Sequence, residues 1–124
     1  MAQGELPPQI KDQLQQFQSL QNQLQVLAQQ KAQMEARSKE FQRAQEALGE
    51  AADDTTVYRN VGSLLIKTKG KEAVLKDIGD ESETLEVRLK NFEKQESRLR
   101  ESLTELQSKI ENGLRRMQGG GQSE

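Results

Sequence analysis

Residues 55–68 read TTVYRNVGSLLIKT. They form an island of β-branched and aromatic residues in a chain that is otherwise glutamine, glutamate, lysine and leucine at helical spacing. Thr55–Arg59 and Leu64–Thr68 have the composition of two short strands. Between them lies Asn60-Val61-Gly62-Ser63, in which Asn and Gly tolerate positive φ. The stretch therefore predicts a β-hairpin. A hairpin reverses the chain, so the segment before it must return beside the segment after it.

On the N-terminal side, Pro7-Pro8 suits a first helical turn, where the missing N–H costs little. Leu20, Leu27, Met34, Phe41 and Leu48 then recur every seven residues, with Ile10, Phe17 and Leu24 as the offset series. This is a heptad seam, with Lys31, Ser38 and Gln45 as polar members. Fourteen glutamines in residues 1–45 read as a solvated helix surface, because the leucine period runs straight through them. Gly49 weakens the helix, and Asp53-Asp54 offers a turn or cap. On the C-terminal side a cleaner seam runs through Leu75, Ile78, Ser82, Leu85, Leu89, Phe92, Glu96, Leu99, Leu103, Leu106, Ile110, Gly113 and Met117. Each helix should be about 60–70 Å long at 1.5 Å per residue.

Matching the seams across the hairpin puts Leu48 opposite Leu75, Met34 opposite Leu89, Leu20 opposite Leu103 and Phe17 opposite Leu106. Both termini then fall at one tip and the hairpin at the other. In this register Lys31 falls near the level of Glu96, with Glu93 also close, so pairing of Lys31 with Glu93 or Glu96 would lock the alignment, as polar seam residues often do. The alternative is that each charge reaches solvent separately. The expected division is a flexible N-terminus (1–7), a first coiled-coil helix (8–52), a hairpin module (53–70), a second coiled-coil helix (71–117) and a flexible tail (118–124). The fold class is mainly α: a long antiparallel coiled coil with a central β-hairpin.

Composition narrows the function. Apolar residues are 32% of the 124, and adding the nine glycines still leaves the chain short of the ~45–50% of ordinary globular domains. Such a chain supports a narrow core better than a compact one. A net charge of −2 argues against a general nucleic-acid binder. With no cysteine and no histidine, thiol chemistry and the commonest general base and transition-metal ligand are absent. Asp53-Asp54 lack the apolar pocket that catalysis needs, and Gly70 lacks phosphate-loop spacing. No enzyme activity, cofactor or metal is expected. MAQGELPPQ lacks the regions of a signal peptide, and Leu64-Leu65-Ile66 is far short of a membrane span. The expectation is a soluble cytoplasmic protein without membrane or nucleic-acid partners.

A lone two-stranded hairpin is marginal in water, and its outer edges accept other strands. Val57, Tyr58, Val61, Leu64, Leu65 and Ile66, with Gly62 at the turn, exceed what two strands can cover. Hairpins from several chains pairing into a shared sheet or barrel would cover them. A hairpin that merely caps one coiled coil is the alternative.

The stretch DDTTVYRNVGSLLIKT between two heptad segments resembles the β-type subunits of the prefoldin family. The resemblance runs from about Pro8 to Met117 and is most specific at VYRNVGSLLIK. A single hairpin fits the β type, because the spacer has no room for the two of the α type. The resemblance implies a hexamer of two α-type and four β-type subunits, with hairpins forming a β-barrel platform from which coiled coils project. It also implies that the tips hold unfolded proteins and deliver them to a group II chaperonin without nucleotide. The tip residues are compatible with this. Leu14 and Leu114 lie beside the seam, and Ile10 and Met117 occupy its last levels, where a helix pair frays. Leu6, Ile10, Leu14, Phe17, Leu106, Ile110, Leu114 and Met117 are therefore the candidate client-binding group, since leucine and methionine repack around varied partners. Lys109, Arg115 and Arg116 complement the helix dipole or serve chaperonin docking. Two rival readings share the arms: an oligomeric adaptor that binds one folded partner, and a parallel dimer with a break at its centre.

Overall fold

A computed structural model describes residues 6–119. The order of elements is α1 (Pro8–Glu50), β1 (Tyr58–Val61), β2 (Leu64–Lys67) and α2 (Lys71–Gly119). Pro8 is the first helical residue of α1, and the Lys11 amide bonds back to the Pro7 carbonyl at 3.0 Å. Proline thus sits where its lost donor has no intrahelical partner to miss. The expected end at residue 52 comes two residues earlier. The expected tail at 118–124 is shortened, because Gln118 and Gly119 still belong to α2. Residues 1–5 and 120–124 of the expected flexible segments lie outside the described residues.

The chain divides into two compact units. The terminal unit takes residues up to Gln30 together with those from Phe92 onward, and the hairpin unit is Lys31–Asn91. In the terminal unit the α1 positions Ile10, Gln13, Phe17, Leu20, Leu24 and Leu27 are turned from solvent, as are Phe92, Glu96, Leu99, Leu103, Leu106, Ile110 and Gly113 on α2. The spacing alternates between three and four, as in a heptad seam. Ile10 packs against Gly113, one heptad beyond the expected Phe17–Leu106 level, which agrees with the antiparallel register read from the seams. Gln13 is a polar seam residue that the apolar series passes over.

The hairpin unit obeys the same rule. Met34, Ser38, Phe41, Gln45 and Leu48 on α1, and Leu75, Ile78, Ser82, Leu85 and Leu89 on α2, are buried or half-buried. The Arg37 guanidinium lies 5.2 Å from the centroid of the Phe41 ring, so a surface cation covers an aromatic seam residue. At the seam's last level, Met117 is exposed. The reason is that α1 begins only at Pro8, so no turn of α1 remains to cover it.

The strands differ from expectation by a shift along the first. Thr55–Val57 are not in a strand, whereas Asn60 and Val61 are. The antiparallel pairs are Tyr58↔Lys67, Arg59↔Ile66, Asn60↔Leu65 and Val61↔Leu64. This leaves a two-residue turn, Gly62-Ser63, with Gly62 at φ 60° and no non-glycine residue at positive φ. Glycine at the first central position with an ordinary residue at the second is the type II′ pattern, whose twist matches that of paired strands. The Asn60 contribution to the turn is therefore overturned.

Candidate functional site: an uncovered hairpin and a terminal apolar ridge

Two groups of residues are candidates for function, and each lies within one unit. In the hairpin, all eight strand residues are exposed. Side chains alternate between faces along a strand. Tyr58 and Leu65 therefore share one face, while Val61, Leu64 and Ile66 share the other with Arg59. Leu65 is 70% exposed and Leu64 62%. A single chain leaves aliphatic side chains uncovered on both faces of its sheet. Gly62 makes the turn between the strands, and Val57 is half-buried just before β1.

The hairpin is held at its base. The Val57 carbonyl accepts from the Thr68 amide at 2.9 Å and from the Thr68 hydroxyl at 2.7 Å. The same hydroxyl oxygen accepts from the Gly70 amide at 3.2 Å. The Gly70 carbonyl then takes the first α2 bond, from the Val74 amide at 3.1 Å. Gly70, at φ 121°, makes this sharp entry from strand to helix. Further out, Arg59 reaches Glu81 of α2 at 3.3 Å, an exposed guanidinium beside a half-buried carboxylate.

Lys71 is the structural residue that periodicity does not reveal. It is 8% exposed. Its ammonium donates to the Ala51 carbonyl at 2.7 Å, to the Gly49 carbonyl at 3.4 Å and to Asp53 Oδ1 at 3.5 Å. These carbonyls close α1, where the last turn has no amide donors of its own, and a cation there also meets the negative end of the helix dipole. The first residue of α2 thereby caps the last turn of α1. The intervening chain turns over Asp53-Asp54, with the Thr55 amide bonded to the Ala52 carbonyl at 3.0 Å. The only sequence signal was a lysine after Gly70, directly beyond the hairpin.

In the terminal unit the expected client-binding group splits. Leu14 (40%), Leu114 (37%) and Met117 (43%) are exposed. Leu6 and Phe17 are half-buried. Ile10, Leu106 and Ile110 are buried at 5%, 8% and 7%, so the expected fraying at Ile10 does not occur. Ile10 fits against Gly113, where a seam side chain would otherwise stand. Of the residues expected to set the register, Lys31 and Glu96 are half-buried and Glu93 is exposed.

Among the described residues there is no group of acidic side chains arranged to hold a metal ion. No helix among them is long and apolar enough to cross a membrane.

Two long heptad helices joined by one hairpin with aliphatic residues uncovered on both faces define the class of subunit. Comparison with known proteins agrees. A family model described as "Prefoldin subunit" matches residues 11–116. The prefoldin β subunit of Archaeoglobus fulgidus is 44% identical over 90% of this chain and 95% of its own length. That of Methanosarcina acetivorans is 49% identical over 90% of this chain and 94% of its own. The crystal structure of the prefoldin β subunit from Thermococcus strain KS-1 superposes with a TM-score of 0.80 at 39% identity, covering 90% of this chain and 96% of that one. The chain belongs to the prefoldin subunit family, a chaperone family, and to its β type.

Proposed function

We propose that the chain is an ATP-independent chaperone subunit that assembles through its hairpin with α-type partners, holds unfolded proteins on the terminal unit and delivers them to a group II chaperonin. The observation that carries this reading is the exposure of aliphatic residues on both faces of a two-stranded sheet. Open strand edges and an uncovered apolar surface on one small hairpin call for other strands. Membership of the β type supports a complex of two α-type and four β-type chains in the cytoplasm, with no cofactor.

On this reading Leu14, Leu114 and Met117 supply the client contact, with Leu6 and Phe17 at its margin. Flexible apolar side chains suit many partners. Lys109, Arg115 and Arg116 form the basic fringe for chaperonin docking. Seam spacing supports Lys31 with Glu93 or Glu96 as a register lock. If so, Lys31→Glu lowers the urea midpoint and Glu96→Lys in the same chain restores it. Failure of the second change to restore any stability counts against the lock.

The test is solution mass by light scattering for the chain alone and after mixing with an α-type subunit. Suppression of aggregation of a chemically denatured protein is then measured with and without ATP. The expected result is a species near six subunits on mixing, and suppression indifferent to ATP. A mass of two chains under both conditions overturns the assembly. A hexamer that binds no denatured protein overturns the chaperone step.

A further inference from the structure

We propose that Gly113 keeps Ile10 out of the apolar surface that meets a client, by admitting it into the helix seam beside the exposed Leu14, Leu114 and Met117. The meaning of "client" rests on the chaperone function proposed for the chain; the packing does not.

Glycine is disfavoured inside a helix relative to alanine, so a helical glycine with a packing role should show a close neighbour. Gly49 and Gly79 do not: a Cβ on either would meet nothing within 4 Å. A Cβ on Gly113 would lie 3.2 Å from Ile10 Cδ1 and 3.4 Å from Ile10 Cγ1. The separation to Cδ1 is tighter than ordinary van der Waals contact and that to Cγ1 is at its edge, and close-packed side chains do not absorb an added methyl without moving. Gly113 occupies a seam position, so the missing side chain is the space that the tip of Ile10 fills. Ile10 is accordingly among the most buried hydrophobic residues, at 5%.

The surrounding apolar residues lie outside that contact. Leu14 is one turn along α1 from Ile10, Leu114 adjoins Gly113, and Met117 is one turn further along α2; all three are exposed. Ile10 stands in the first turn of α1, which begins at Pro8, so outward is the direction in which it yields. A methyl at 113 therefore presses the tip of Ile10 outward by a few tenths of an ångström, toward the ridge. The glycine thus sets how far Ile10 contributes to the apolar ridge, and Gly113 is a positioning residue for client contact.

Two measurements test this. The first uses isoleucine δ1-methyl labelling of the full-length chain with a water-soluble paramagnetic agent. The expected result is that the Ile10 methyl is protected like that of buried Ile110, and that Gly113→Ala moves it toward the value of exposed Ile66. An Ile10 methyl unchanged by Gly113→Ala, or already as accessible as that of Ile66, overturns the proposal. The second measures capture of a denatured protein by the complex with the α-type subunit. Gly113→Ala is expected to raise capture about twofold, and the gain to vanish when Ile10→Val removes the contacting Cδ1, the signature of direct coupling between the two positions. A gain that persists with Ile10→Val, or no gain from a parent complex that does capture, overturns the role in client contact. A parent complex that captures nothing refutes the chaperone reading, and the methyl measurement alone then decides the packing claim.

Discussion

The hairpin and the terminal unit carry the same kinds of aliphatic side chain and treat them in opposite ways. In the terminal unit Ile10, Leu27, Leu106 and Ile110 are buried, because each of two long helices offers a continuous seam for the other to cover. In the hairpin Leu64, Leu65 and Ile66 are exposed, because four-residue strands joined by a two-residue turn have no third element to pack on. Hydrophobicity alone does not distinguish a core from an interface. The distinction lies in whether the same chain supplies a covering surface.

That contrast can be broken or sharpened by substitution, beginning with the largest effect. Leu106→Ala removes a buried seam side chain and is expected to destabilise the chain by about 2–5 kcal/mol, read as a lower urea midpoint by circular dichroism. Leu65→Ala in the hairpin should change the stability of the chain alone by no more than about 0.5 kcal/mol, yet prevent the species near six subunits in light scattering. Equal effects of the two on the chain alone would remove the contrast.

Lys71→Met tests whether the junction depends on a buried charge. Leaving the Ala51 and Gly49 carbonyls without their donor should cost about 1–3 kcal/mol, with faster amide exchange confined to the last turn of α1. Gly62→Ala places a side chain at φ 60° and should cost about 1–2 kcal/mol, seen as loss of the hairpin's amide protection while helix content is kept. The smallest effect belongs to Arg59→Ala. Its partner Glu81 is 3.3 Å away but the two side chains are 59% and 41% exposed, so a change within about 1 kcal/mol is expected.

Much of this was legible in the chain itself. The alternation from Leu20 to Leu48 and from Leu75 to Ile110 names the residues that turn inward, because a helix has a fixed period and a seam can only track it. Asp53-Asp54 marks a turn, and the β-branched run marks a hairpin. The strand register was less legible: Thr55–Val57 have β-forming side chains, but the tight turn at Gly62-Ser63 sets the pairing outward from itself. The candidate client surface was legible only as a group. Leu14 and Leu114 fall off the seam by their numbers, whereas the burial of Ile10 depends on what stands opposite it.

By itself the sequence determined the local propensities: two heptad helices, a hairpin between them, and a chain without thiols or imidazoles. Tertiary structure decided what no period contains. It buried Lys71 against carbonyls some twenty residues earlier in the chain, withdrew Ile10 into the space above Gly113 and left Met117 uncovered past the start of α1. The physical reason is that periodicity records which way a side chain points, whereas burial depends on a second surface supplied by a distant part of the chain.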